Sequence, residues 1–167
     1  MEITKDTPLK EVLEIGKECG RRNMCCTFGS GCMAGDDIKN IANFFGISKK
    51  ELKERYLEET ERLSTRLLRP RIIRKNKPYG SCVFFDGKGC KIHPVKPLEC
   101  RISKCGKHGE ELSKWFMLNY CFNANDAESV RQYIIYIKTN KALKGGELEK
   151  LVPKERLRKI LIYEVLK

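Results

Sequence analysis

Nine cysteines in 167 residues are the part of this sequence most able to do chemistry. They fall into two groups, Cys19, Cys25, Cys26 and Cys32, then Cys82, Cys90, Cys100 and Cys105, with Cys121 standing apart. Thiolates bind soft and borderline metals. Both groups lie in Gly- or Pro-rich stretches, CGRRNMCCTFGSGCMAG and HPVKPLECRISKCGKHG among them, where irregular backbone lets several sulfurs converge. An odd cysteine count suits a fully paired disulfide framework poorly. The N-terminus reads MEITKDTPLK, with no apolar export segment, so the expected compartment is the reducing cytoplasm. Cysteines there read as metal ligands or reactive thiols before disulfides. The eight clustered cysteines are therefore the candidate metal ligands. Cys121 sits in an apolar helical run beside Trp115 and Phe116 and reads as a small buried hydrophobe.

The spacings leave the metal open. A zinc ribbon offers C-x2-C knuckles, and this chain has none. Ferredoxin spacings are also missing, although Cys100 and Cys105 form a C-x4-C pair. Adjacent Cys25 and Cys26 point apart in extended backbone, so they serve different metal atoms or only one of them ligates. Zinc and an iron–sulfur cluster of the 4Fe-4S type both remain. Either centre is anionic when thiolate-bound, and nearby cations would offset that charge. Residues 66–109 hold 12 Lys and Arg against 2 Asp and Glu, almost all of the chain's net charge of +12. That exceeds the need of one metal site. The surplus points to nucleic acid or an acidic protein partner, or to an ordinary solvated basic face.

Few other residues suggest chemistry. His93 either completes a metal site or is a loop residue before Pro94. His108 lies in a polar Gly-flanked loop and is expected at the surface. Asp36 and Asp37 read as a helix cap rather than an acid–base pair. Arg101 either donates to a sulfur of Cys100's site or lies on the surface. Phe84, Phe85, Trp115 and Phe116 are expected to shield the metal. No Walker loop, GxGxxG or nucleophile signature occurs, so no catalytic residue is assigned.

These residues need a scaffold. Thr7 and Pro8 read as N-cap and first residue of a helix that fails near Gly20, with Leu9, Val12, Leu13 and Gly16 on one face. A second helix starts at Asp36, buries Ile38, Ile41 and Phe45, and ends at Gly46. Ser48 and Glu51 form a capping box for a third, running to about Leu68 with Leu52, Tyr56, Leu63 and Leu67 inward. After Pro70, Asp86-Gly87 predicts a hairpin of two short strands, Cys82 to Phe85 and Cys90 to Ile92. Helices follow over 110–122, from an Asn125/Glu128 cap through Ile137, and from Pro153 to Val165. The longest apolar run is far shorter than the roughly 20 residues of a membrane span. The expected fold is mostly α (α+β): one helical domain over 1–167 with a short β-hairpin and two cysteine-rich metal-binding loops. Its cysteine-cluster region is about 19–105, and a helical extension occupies about 110–167.

The chain also resembles a family of cysteine-cluster, zinc- or iron-chelating domains known by a CxxCxxCC motif. Cys19, Cys25 and Cys26 match the first, third and fourth cysteines, while Arg22 occupies the second position and Cys32 is the candidate substitute. A second family pattern is followed by Cys82, Phe84, Cys90, Ile92, Pro97, Cys100 and Arg101, with His93 in place of Tyr and Lys96 in place of Arg. Ser103 stands where a proline often follows. The similarity spans about residues 19–103 and implies metal binding. A looser similarity to flagellin lysine methylases, iron–sulfur enzymes, implies no catalytic residue here. The expectation is a metal-binding protein with an iron–sulfur cluster or zinc in a structural or redox role. A zinc-containing nucleic-acid module and an iron–sulfur enzyme are the alternatives.

Overall fold

Pro8 precedes the first helix instead of starting it. In the computed structural model, which describes residues 2–17, 20, 24–102 and 105–166, α1 spans Leu9–Ile15 and closes at Gly16. It ends there because Gly16 presses onto another segment: a Cβ on it would lie 2.7 Å from the Ile102 Cα. The loop after it is less irregular than its composition predicts, since Met24–Phe28 forms a short helix, α2. Helix α3 (Asp37–Phe45) ends at Gly46 with φ 65°, a left-handed cap that glycine adopts without strain. Ile41 is buried as the pattern requires, while Phe45 is 37% exposed and stacks on Tyr56 and Phe84.

Helix α4 (Lys49–Tyr56) has the expected cap, with the Ser48 hydroxyl accepting from the Glu51 N–H at 3.0 Å. It does not reach Leu68. Residues 57–70 form an antiparallel hairpin of β1 (Leu57–Arg62) and β2 (Thr65–Pro70). Leu63 and Ser64 make the turn at φ 48° and 61°. A two-residue turn with both residues left-handed matches the twist of paired strands, yet here it uses neither Gly nor Asn. Glu58 faces Arg69 and Glu61 faces Arg66 across the ladder, opposite charges that favour this register.

Glu58 is the hub of that hairpin. It accepts from Arg69 Nε at 3.0 Å and from Arg74 Nη2 at 2.7 Å. The Arg74 hydrogen bond is the main reason its pKa falls from 4.5 to about 2. The stabilisation is therefore complete above pH 4.5 and fades as pH falls toward 2. Glu58→Gln is expected to lower stability by about 1–3 kcal/mol at neutral pH. In urea melts the gap from the parent protein should close as pH approaches 2.

The one expected hairpin, at Asp86-Gly87, survives only as a turn. Asp86 Oδ1 accepts from the N–H groups of Lys88 at 2.9 Å and Gly89 at 2.8 Å, with Gly87 at φ 91°. A single bridge joins Phe85 to Cys90. Cys82 pairs elsewhere: β4 (Ser81–Cys82) lies antiparallel to β3 (Ile72–Ile73). After Cys90 come a 3-10 turn at His93–Val95 and α5 (Leu98–Arg101).

Helix α6 (Gly109–Phe116) runs into a π-helical turn, Met117–Cys121. Helix α7 (Ala127–Thr139) is capped by Asp126, not Asn125, and α8 (Leu148–Leu151) and α9 (Lys154–Leu161) follow. The fold is thus mostly helical with short antiparallel pairs, an α+β arrangement. One apolar cluster joins Val12, Leu98, Ile102, Leu112, Phe116 and Tyr133. A second joins Ile41, Leu52, Leu57, Phe84 and Ile92. Asp37 bridges the cores: its buried carboxylate accepts from the Ala34 N–H at 2.8 Å, the Leu98 N–H at 2.7 Å and Arg101 Nη2 at 2.7 Å. Among the described residues, no helix is long and apolar enough to cross a membrane.

Candidate metal centre

Six of the candidate ligands meet around one space. Helix α2 brings Cys25 and Cys26, β4 brings Cys82, the Asp86 turn delivers Cys90, and α5 carries Cys100 with Cys105 beyond it. All six line a cavity of about 290 Å³. His93, Lys88 and Lys96 also line it, and among the described residues no Asp or Glu does. Cys25, Cys100 and Cys105 additionally face a cleft of about 420 Å³ that contains Phe28, Arg62, Arg69 and Tyr79.

Hydrogen bonds among the thiols favour negative sulfur at Cys25 and Cys90 at the expense of Cys26. Cys26 Sγ lies 3.9 Å from Cys25 Sγ and also hydrogen-bonds Cys90. Those bonds are the main cause of lowered pKa values at Cys25, to about 6, and at Cys90, to about 7. Cys26 is pushed up because both neighbours hold its proton. The positive charge of Lys96 favours thiolate at Cys25 and Cys90. Burial pushes Cys82 up to about 11 and Cys100 up as well. Backbone N–H groups oppose that penalty, from Phe84 to Cys82, from Ile92 to Cys90 and from Gly31 to Cys100. Such N–H···S contacts are the outer-shell partners that orient and stabilise a metal-bound thiolate.

Gly31 has no room for a side chain. A Cβ there would stand 2.6 Å from Cys100 Sγ and 3.0 Å from the Cys100 nitrogen. Gly31→Ala is therefore expected to displace Cys100 and cut bound metal by at least about tenfold, the scale of an outer-shell loss. Metal analysis of the purified variant beside the parent checks this.

The remaining candidates divide. Cys19 lies outside the described residues. Cys32, although grouped with Cys25 and Cys26 by sequence, is fully buried in the first apolar cluster with Cys121. Its N–H donates to Glu99 at 2.7 Å, and burial followed by the Glu99 charge raises its thiol to about 12. Cys121 is the expected buried small residue. Arg101 turns to Asp37, which acts as the clamp described above and not as a simple cap. Phe84, Phe85, Trp115 and Phe116 do not line the cavity; Phe84, Trp115 and Phe116 are buried in the apolar cores. His108 is half-buried, not exposed.

Three of the arginines that motivated a nucleic-acid surface have other work. Arg69 and Arg74 bind Glu58, and Arg71 donates to the Glu54 carbonyl at 3.0 Å. Gly31, Asp37 and the two cavity lysines were not singled out by sequence reasoning as parts of the site. Only the glycine beside Cys32 carried a local signal. Among the described residues, no group of three or more His, Cys, Asp or Glu side chains is drawn together so as to hold one metal ion. Four thiolates around one zinc lie about 3.8 Å apart, given Zn–S bonds of about 2.3 Å. Sulfur donors suit soft and borderline metals, iron and zinc among them. A scan of protein-family models, a search of curated proteins and a search of solved structures each returned no match to this chain.

Proposed function

We propose that this is a metal-binding cysteine-cluster protein whose cavity holds an iron–sulfur cluster, of the 4Fe-4S type, in a structural or redox role. The observation that carries the reading is the set of six cysteines, spread over residues 25–105, around a single cavity that no carboxylate among the described residues lines. Cys26, Cys82, Cys90 and Cys100 are the proposed ligands. They are buried or half-buried, whereas Cys25 and Cys105 are exposed. Lys88, Lys96 and the N–H groups facing sulfur would offset the anionic cluster. Sulfurs that surround a volume suit a polynuclear centre better than a lone zinc ion, which requires four donors at one point.

The test is purification without oxygen, followed by iron, zinc, acid-labile sulfide and visible absorption on one sample. Iron with matching sulfide and a broad brown charge-transfer band is the expected result. Stoichiometric zinc with no visible band replaces the cluster by a structural ion. Absence of both metals overturns the reading.

A further inference from the structure

We propose that the mouth of the cysteine cavity is a docking surface for an acidic protein with an apolar contact patch of its own. Part of the charge of residues 66–109 is paired. Arg69 and Arg74 share Glu58, and Arg101 pairs with Asp37. Arg66, Arg71, Lys75, Lys77, Lys88 and Lys91 are exposed. Of the segment's two acids, Asp86 keeps an exposed negative charge that Lys91 partly offsets. Glu99 is buried, and the Asp86 carboxylate closes its own turn.

Beside Lys77 lies an apolar patch. Phe28 and Tyr79 touch with ring centroids 5.8 Å apart, although 55% and 46% exposed. Met24, one helical turn before Phe28, is 61% exposed. Lys77 lies over the Tyr79 ring at 5.6 Å. An apolar centre with a rim of one charge is the anatomy of a steered protein interface. A nucleic acid fits less well. Met24 offers no ring for a base to stack on, and Arg69 and Arg74, whose forks would grip phosphate, hold Glu58 instead. Phe28 and Tyr79 border the cleft that reaches Cys25, Cys100 and Cys105, so a partner seated there covers the outer side of the cysteine site. The surface stands on charge and exposure, whatever the cavity binds.

The test measures fluorescence anisotropy at low salt with the full chain, purified without oxygen. Three labelled probes of equal negative charge are compared: a peptide alternating Glu with Leu, a poly-glutamate peptide and an oligothymidine. The Glu/Leu peptide is expected to bind at least about tenfold more tightly than the other two. Phe28→Ser with Tyr79→Ser should reduce that advantage to less than about twofold, and Met24→Ser should weaken it separately if the double variant loses structure by circular dichroism. Lys77→Glu with Lys91→Glu should weaken both peptides at least about fivefold, with salt mimicking the effect. Oligothymidine binding as tightly as the Glu/Leu peptide overturns the proposal in favour of nucleic acid. An undiminished advantage in both apolar variants overturns it outright.

Discussion

On the proposed reading, stripping the cluster from the anaerobically purified protein is expected to lower its thermal midpoint by roughly 10 °C. The bound group would tie α2, β4, the Asp86 turn and α5 to one another, and these elements otherwise meet through only short strands and small apolar contacts. A ligand that binds the folded state alone stabilises it by about 4 kcal/mol at a thousandfold excess over its dissociation constant. In a chain of this size each kcal/mol is about 2–4 °C. Cys100→Ser should produce both effects together, metal loss and a lower midpoint, because serine keeps the volume and removes the soft donor. Cys121→Ser separates them: it disturbs a buried core position and should lower the midpoint while leaving metal content intact. Full metal loading in both Cys82→Ser and Cys100→Ser would remove these residues from the ligand set.

Asp37→Ala is expected to be the most damaging substitution outside the cysteines, costing about 3–5 kcal/mol. It strands the half-buried Arg101 guanidinium, whose Nε is itself buried without a hydrogen-bond partner. It also leaves the Ala34 and Leu98 N–H groups without their acceptor. The Leu98 N–H begins the helix that carries Cys100, so metal content should fall along with stability. Urea melts and metal analysis of the same preparation check both. Asp37→Asn keeps an acceptor oxygen and should sit between the two. A loss below about 1 kcal/mol in Asp37→Ala would show the carboxylate to be dispensable.

The helical framework was legible because its punctuation is strong. Ser48 with Glu51, Gly46 and Pro153 each act within a few residues of where they stand. The hairpin over 57–70 was not legible. Its Leu63-Ser64 turn lacks the Gly or Asn that usually marks left-handed residues, and leucines at 52, 63 and 67 satisfy a helical stripe about as well as a ladder. The Asp86-Gly87 turn was correct, but Cys82 found its partner strand upstream, a non-local choice that turn chemistry does not encode. Charge was misread for a similar reason. The excess over 66–109 includes arginines whose acids, Glu58 and Asp37, lie earlier in the chain. For the site, residue type was informative and proximity was misleading. Cys32 is near Cys26 in sequence but packs into the core, whereas Cys26 reaches across to Cys90.

The order in which the chain supplies the cavity sets when it can be filled. Cys25 and Cys105 bracket its cysteine lining. At a synthesis rate of about 5–20 residues per second, roughly 4–16 s separate the emergence of the first sulfur from that of the last. The apolar layer behind α5 also needs Leu112 and Phe116, which emerge later still. Throughout that interval the early thiols are exposed to oxidation and to stray metal. If the cavity holds the proposed cluster, loading follows synthesis, and the yield of filled protein should depend on the oxygen tension and iron supply of the cell while the chain is being made.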